Sequence, residues 1–97
     1  MNSYFVYILA NKKHGTIYVG VTSDLRKRVC EHKNDITEGF TKKYQIHSLV
    51  YFEETGDIRS AIQREKQLKK WERNWKINLI EKNNSNWEDL YPKLFLD

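Results

Sequence analysis

The segment YFVYIL, residues 4–9, decides the fold together with TIYVGV, residues 16–21, which follows it after a short polar stretch. The first segment is continuously apolar and rich in β-branched and aromatic residues, which is typical of a strand covered on both faces. The intervening NKKHG, residues 11–15, combines polar residues with glycine and is typical of a turn. The pattern predicts an antiparallel hairpin.

The length of the turn sets which side chains of the hairpin face each other. If Ala10 and Gly15 close a loop of four residues, Tyr7 lies directly opposite Tyr18 on one face of the sheet. Side chains alternate between the two faces along a strand, so a slip of one residue would destroy this pairing. The expected register therefore places the two tyrosines together.

A helix is predicted over residues 25–33, because residues 22–24 are Thr, Ser and Asp, whose side-chain oxygens cap helices. Leu25 and Val29, with Cys30, form its expected apolar stripe. This stripe would pack the helix against the sheet.

The third predicted strand is LVYF, residues 49–52, which ends at the polar residues 53–56. Residues 34–47 are mostly polar and are expected to form a loop or a frayed helix end. The predicted fold is therefore of the α/β (α+β) class, with a three-stranded, largely antiparallel sheet flanked by helices.

The longest helical pattern begins at Asp57, and its apolar stripe contains the carboxylate of Glu65. Past Leu68 the pattern becomes irregular. This irregularity predicts either a kink near residues 71–74 or a second helix that runs to about Lys82.

The 97 residues make one domain, because separate cores are expected only in much longer chains. We expect the domain to span residues 1–82 and residues 83–97 to form a short C-terminal extension that packs on it or trails it. Pro92 is expected to end a further turn over residues 87–91, because proline lacks a backbone donor.

The basic charge of the chain is concentrated in one segment. The whole chain carries a net charge of +4, whereas residues 59–82 alone contain eight basic and three acidic residues, a net charge of +5. A basic excess favours a polyanionic partner, although a charge-rich helix is often only a solvated face.

The chain has one cysteine, Cys30, which excludes an internal disulfide and a multi-cysteine zinc site. Its longest apolar run, residues 4–10, is far shorter than the roughly 18 residues needed to span a bilayer. No leader pattern opens the sequence. We therefore expect a cytoplasmic protein that has no membrane partner.

Three side chains suit the chemistry of phosphodiester hydrolysis. Arg28 can bind two phosphate oxygens through its planar guanidinium, and His32, four residues later, shares its helix face. Glu65 offers a hard oxygen to Mg²⁺, which keeps several waters and binds proteins through one or two carboxylates. Taken alone, Arg28 and His32 also fit a helix surface, and Glu65 fits a salt bridge.

The order Phe5-Val6-Tyr7, Tyr18-Val19-Gly20 and Arg28 resembles the GIY-YIG nuclease superfamily, and most of all its small single-domain bacterial members. Ten residues lie between the two tyrosines, and Arg28 follows ten residues after the second. The resemblance covers about residues 3–80 and departs from the family pattern at Phe5, where the first motif has glycine. It implies a GIY-YIG-type fold and makes residues 1–82 a nuclease-like domain.

The resemblance also implies roles for individual residues. The matched positions are the motif tyrosines Tyr7 and Tyr18, the motif glycine Gly20, the phosphate-binding Arg28, His32 one helical turn later, the metal-binding Glu65, and Asn78, with Asn74 as its alternative, to orient phosphate or hydrated metal.

The activity implied is that of an endonuclease dependent on Mg²⁺ or Mn²⁺, which hydrolyses DNA in one in-line displacement. Branched or damaged DNA, as in DNA repair, is the expected substrate, and DNA is favoured over RNA. The basic residues expected to contact it are Lys69, Lys70, Arg73 and Lys76.

The general base stays open among Tyr7, Tyr18 and His32. Free histidine has a pKa near ~6.5 and free tyrosine near ~10, so histidine is intrinsically the better base, while the resemblance favours a motif tyrosine.

Two rival interpretations remain. One is a catalytically silent nucleic-acid-binding module that uses the basic segment 59–82. The other is a protein-interaction domain built on Trp71, Trp75 or Trp87. In so short a chain, specificity would come from substrate shape, from self-association or from a protein partner.

Overall fold

The computed structural model describes residues 2–36 and 39–96. Within these ranges the chain forms three strands, four α-helices and a final 3-10 helix. Their bounds are β1 Tyr4–Ala10, β2 Ile17–Thr22, α1 Leu25–Lys33, α2 Phe40–Lys43, β3 Ser48–Thr55, α3 Ile58–Lys70, α4 Arg73–Asn83 and the 3-10 helix Tyr91–Phe95.

The three strands form one sheet in the order β2-β1-β3, and both pairs are antiparallel. The central strand β1 is therefore hydrogen-bonded on both edges. This arrangement confirms the predicted three-stranded antiparallel sheet flanked by helices.

Both faces of β1 are buried, as its continuous apolar run predicts. Val6 and Ile8 pack on one face with residues of α3 and α4 such as Ala61. Tyr7 and Leu9 pack on the other face with residues of α1. Fully burying an aliphatic side chain stabilises the fold by about 1.5–3 kcal/mol. Because both of its faces are buried, β1 contributes such side chains to two cores.

The hairpin register differs from the expected one. Tyr7 pairs with Gly20, and Leu9 pairs with Tyr18, so the prediction that the two tyrosines are directly opposite was wrong. The register is displaced by two residues, which leaves both tyrosines on the same face as diagonal neighbours. Their ring centroids are 6.4 Å apart.

Hydrogen bonds within the turn explain the longer loop. The backbone N–H of Thr16 donates to Asn11 Oδ1 at 2.9 Å, and that of Asn11 donates to the Thr16 carbonyl at 3.2 Å. Gly15 N–H donates to the Lys12 carbonyl at 2.9 Å. The loop therefore contains residues 11–16 instead of the four residues expected from the sequence.

Helix α1 has the predicted bounds, and Asp24 caps it by accepting a hydrogen bond from the Lys27 N–H at 3.2 Å. Its buried side chains are Leu25, Val29 and His32. Cys30 is only half-buried, so His32 takes the inward position that the apolar stripe assigned to the cysteine.

The region from Asp57 onward contains two helices, the second of the two predicted alternatives. Trp71 lies between α3 and α4 with φ −65° and ψ 147°, an extended conformation that ends α3. The half-buried Trp71 packs against the core on the α3–α4 face of the sheet.

The residues after α4 pack on the domain. Asn84 donates hydrogen bonds to the carbonyls of Val50 at 3.0 Å and Glu88 at 2.9 Å, and Leu90 N–H donates to the Leu49 carbonyl at 2.7 Å. Pro92 lies in the first turn of the 3-10 helix, so the prediction that it ends a turn was wrong. The missing N–H of proline costs nothing there.

Within the part of the chain that the structure describes, no helix is both long and apolar enough to cross a lipid bilayer. The longest helix, α3, has 13 residues.

The register makes Gly20 a sensitive position. A Cβ at Gly20 would lie 2.4 Å from both Cζ and the hydroxyl oxygen of Tyr7, so Gly20→Ala must displace a buried ring. We expect the free energy of unfolding, measured by urea denaturation, to fall by about 1–3 kcal/mol. Near-UV circular dichroism should report the changed tyrosine environment.

Gly56→Ala is the matched control for this substitution. A Cβ at Gly56 comes no closer than 3.9 Å to its nearest neighbour, the Asn2 carbonyl oxygen. Equal effects of the two substitutions would contradict the steric argument.

Candidate active site

Three rings from three elements meet on the α1 side of the sheet. The His32 ring centroid lies 6.1 Å from that of Tyr7 and 5.5 Å from that of Tyr18. We call these three residues the tyrosine–histidine cluster. Gly20 pairs directly with Tyr7 and has no side chain, so it leaves room for the Tyr7 ring against β2. Gly20 therefore helps to position the cluster.

His32 joins this cluster to helix α2. Its side chain is 2% exposed; Nε2 lies 3.3 Å from the Tyr7 hydroxyl oxygen, and Nδ1 lies 3.0 Å from Thr41 Oγ1. Burial and the nearby Arg28 guanidinium lower the pKa of His32 to about 4. The imidazole is therefore neutral at neutral pH, with one nitrogen able to accept a hydrogen bond.

Thr41 is the site residue that sequence reasoning missed. It is 4% exposed and lies in the short helix α2. The sequence predicted only a loop or a frayed helix end in this region. A single threonine in a polar stretch gives no periodic signal, so only the fold reveals its contact with His32.

Arg28 lies next to the Tyr7 hydroxyl. The interaction with that hydroxyl is the main cause of the raised pKa of Arg28, and Arg28 Nη1 donates a hydrogen bond to Glu31 Oε1 at 3.3 Å. Its side chain is 37% exposed, so the guanidinium contacts both the cluster and solvent. A phosphate at the surface could be bound there.

Tyr7 is a neutral phenol in the free protein. Burial raises its pKa to about 12, and Arg28 only partly offsets this effect. The carboxylate of Glu65 on α3 adds to the rise, so it is close enough to act electrostatically on Tyr7.

The Glu65 side chain is 15% exposed, and its Oε2 forms an ion pair with Lys69 Nζ at 2.8 Å. Within residues 2–36 and 39–96, no group of three or more His, Cys, Asp or Glu side chains is arranged to hold a metal ion. Mg²⁺ needs fewer protein ligands, because it retains several waters and accepts one hard carboxylate oxygen. Glu65 fits this requirement.

The predicted nucleic-acid contacts on α3 and α4 are only partly available. Arg73 donates hydrogen bonds to the carbonyls of His14 at 2.8 Å and Gly15 at 2.5 Å, so it ties the hairpin loop to α4. Lys76 Nζ donates to the Lys69 carbonyl at 3.4 Å. Lys70 is exposed at the end of α3.

Asn78 lies on an exposed part of α4. It lines a shallow groove with Trp71, Trp75, Leu79 and Lys82, none of which belongs to the tyrosine–histidine cluster. The structure therefore does not place Asn78 in that cluster.

The tryptophans differ in exposure. Trp75 is 55% exposed, whereas Trp87 is 5% exposed and donates a hydrogen bond to Glu81 Oε2 at 2.7 Å. Trp87 is thus a core residue that holds the C-terminal segment to α4.

Comparison with known proteins extends these observations. The profile of the GIY-YIG catalytic domain matches residues 3–78. A UPF0213 protein of Clostridium perfringens is 40% identical over 76 residues, which cover 78% of this chain and 81% of the relative. The UPF0213 protein YazA of Bacillus subtilis is 33% identical over 92 residues, which cover 95% and 92% of the two chains.

A solved structure agrees with the fold. The solution NMR structure of a UPF0213 protein from Bacillus halodurans has a TM-score of 0.56 and 25% identity, and it covers 90% of this chain and 92% of its own. The profile spans most of the chain, and the two relatives align over 81% and 92% of their lengths, which confirms the resemblance carried by the tyrosine motifs. The chain belongs to the GIY-YIG catalytic domain family, and this membership implies nuclease-type activity.

Proposed function

We propose that the chain is a metal-dependent endonuclease that hydrolyses phosphodiester bonds in DNA. The observation that carries the proposal is the buried chain of contacts from Thr41 through His32 to the Tyr7 hydroxyl, which Arg28 also contacts. Family membership supports the nuclease reaction and a nucleic-acid substrate. GIY-YIG nucleases generally use a divalent metal ion.

Arg28 binds the scissile phosphate in this proposal, because it is the cation that lies between the cluster and solvent. Its planar guanidinium can donate two parallel hydrogen bonds to phosphate oxygens. Glu65 would hold Mg²⁺ or Mn²⁺, and the ion would supply positive charge for the departing oxyanion. The ion pair of Glu65 with Lys69 holds that carboxylate in place on α3.

Tyr7 takes part in proton transfer from the attacking water. Its hydroxyl oxygen accepts that proton as the hydroxyl gives its own to Nε2 of His32, while the Nδ1–H of His32 donates to Thr41. Phosphate on Arg28 favours this transfer, because it neutralises one of the charges that lower the pKa of His32. Tyr18 shapes the other side of the cluster.

The alternative is a nucleic-acid-binding module without catalysis. The net charge of +5 over residues 59–82 favours it, and exposed Lys70 is part of that segment. Arg73 and Lys76, however, contact backbone carbonyls of the chain itself. The alternative explains the charge but gives no reason for a buried histidine between a tyrosine and a threonine.

The nuclease proposal is tested by substitutions at Arg28 and Glu65. Arg28→Ala and Glu65→Gln should each lower the rate of cleavage of branched, nicked and single-stranded DNA in Mg²⁺ by at least about 100-fold, because each removes charge that stabilises the transition state. The rate is measured by gel under single-turnover conditions.

Arg59→Ala and Glu72→Gln are the matched controls, since Arg59 in α3 and Glu72, the N-cap residue of α4, are both exposed and lie outside the cluster. They should cleave like the unsubstituted protein. If no substrate is cut, or if cleavage survives both Arg28→Ala and Glu65→Gln, the chain is not the proposed endonuclease.

The neutral state of His32 makes the stability depend on pH. Its folded pKa of about 4 is lower than the ordinary value of 6.5, so the unfolded chain binds the proton more readily. The contribution of His32 to stability is fully present above about pH 6.5 and is lost as the pH falls toward about 4. The expected loss is roughly 1–3 kcal/mol.

Urea denaturation of the unsubstituted protein and His32→Gln between pH 4 and pH 7 measures this loss. The free energy of unfolding of the variant should vary less steeply over that range, because carboxylates contribute equally to both proteins and cancel in the difference. Parallel curves would show that His32 is not held neutral by its surroundings.

The binding-only alternative predicts how affinity depends on salt. If Lys70 contacts phosphate, Lys70→Gln should reduce the slope of log affinity against log salt concentration by about 1. Fluorescence anisotropy with labelled duplex DNA measures the slope, and Lys93→Gln, at an exposed lysine of the 3-10 helix, is the control. An unchanged slope for Lys70→Gln would remove Lys70 from the interface.

A further inference from the structure

Helix α2 and its C-cap residue expose two aromatic rings side by side. Phe40 is 47% exposed and Tyr44 is 42% exposed, and their ring centroids are 4.8 Å apart. The rings are tilted by 48° and form a pair at the helical spacing of four residues. Large apolar side chains that remain exposed together mark a binding surface more often than isolated ones do.

The same helix is fixed against the candidate active site. Thr41, the neighbour of Phe40, is buried and lies 3.0 Å from Nδ1 of His32. Its carbonyl accepts a hydrogen bond at 2.9 Å from the N–H of Ile46, which is fully buried in the core beside α1. One residue of α2 therefore contacts the tyrosine–histidine cluster while residues on either side remain exposed.

The segment that carries the ring pair is basic. Residues 39–46 contain two lysines, Lys42 and Lys43, and no acidic residue. Lys43 Nζ lies 5.4 Å from the centroid of the Tyr44 ring, and both lysines are exposed. Aromatic faces beside cations bind a nucleic-acid strand by stacking its bases and contacting its phosphates.

We propose that Phe40 and Tyr44, with Lys42 and Lys43, bind the substrate strand next to the scissile phosphate, and that an unpaired base stacks on the ring pair. The inference rests on the proposed nuclease function, because Arg28 and the tyrosine–histidine cluster define where the phosphate lies. Helix α2 contacts His32 through Thr41, and Arg28 lies four residues before His32 on the same face of α1, so Arg28 and α2 are both neighbours of His32.

Binding of DNA to the intact chain tests the surface without requiring cleavage. The probe is a fluorescently labelled single-stranded oligonucleotide, titrated in EDTA against a Glu65→Gln background and read by anisotropy. Adding Phe40→Leu or Tyr44→Leu should weaken binding by about tenfold, because leucine is apolar but cannot stack. Binding of blunt duplex DNA should weaken less than about twofold, because its bases are paired.

Two further substitutions serve as matched controls. Phe95→Leu removes a ring that is 52% exposed on the C-terminal 3-10 helix, and Trp75→Leu removes the exposed ring of α4. Neither should alter single-strand binding. If Trp75→Leu weakens binding and Phe40→Leu and Tyr44→Leu do not, the strand follows α4 and the proposal is overturned.

The outcomes separate the surface from the nuclease activity. Suppose that single-strand binding depends on Phe40 and Tyr44 but the unsubstituted chain cleaves no DNA. This result would refute the nuclease function and support the binding surface on α2. Cleavage by the unsubstituted chain, with binding unaffected by either leucine variant, would refute the surface alone.

A double substitution tests the proposal if circular dichroism shows that the leucine variants do not fold. Lys42→Gln with Lys43→Gln changes only exposed side chains. The slope of log affinity against log salt should then fall by about 1–2, and an unchanged slope would overturn the proposal.

Discussion

The contact between the Tyr7 ring and the backbone at Gly20 is the constraint on which the candidate site depends. Tyr7 Cζ lies only 2.4 Å from the place where a Cβ of Gly20 would be, so β2 accepts the ring only because this residue has no side chain. The contact requires the register that pairs these two residues. That register brings the Tyr7 hydroxyl to the helix that carries Arg28 and His32.

Burial then determines the protonation states at this contact. Tyr7 and His32 are both buried, and burial opposes charge on each, so the phenol and the imidazole are neutral together. Arg28 is the charged group beside them, and it retains access to solvent. A phosphate bound by the guanidinium would offset a positive charge that lowers the pKa of His32.

The sequence predicted the elements better than their relative placement. The apolar, β-branched and aromatic residues of β1 and β2 and the capping residues of α1 predicted these elements within one residue, and the spacing of four placed Arg28 and His32 on one helix face. The register failed because Asn11 and Thr16 bond to each other within the turn, an interaction that residue types do not reveal. Thr41 could not be predicted, since its contact with His32 depends on how an aperiodic segment folds back.

Net charge along the sequence and the placement of each cation in the fold favour different surfaces for nucleic acid. The segment with the greatest basic excess includes Arg73 and Lys76, and both donate hydrogen bonds to carbonyls of the chain, which holds α4 to the hairpin loop and to α3. Lys42 and Lys43 contribute less to the charge count, but they project from the helix that contacts His32. In the proposed complex, a polyanion responds most to cations near the phosphate on Arg28, so the proposal assigns the strand to helix α2 rather than to the more basic α3–α4 segment.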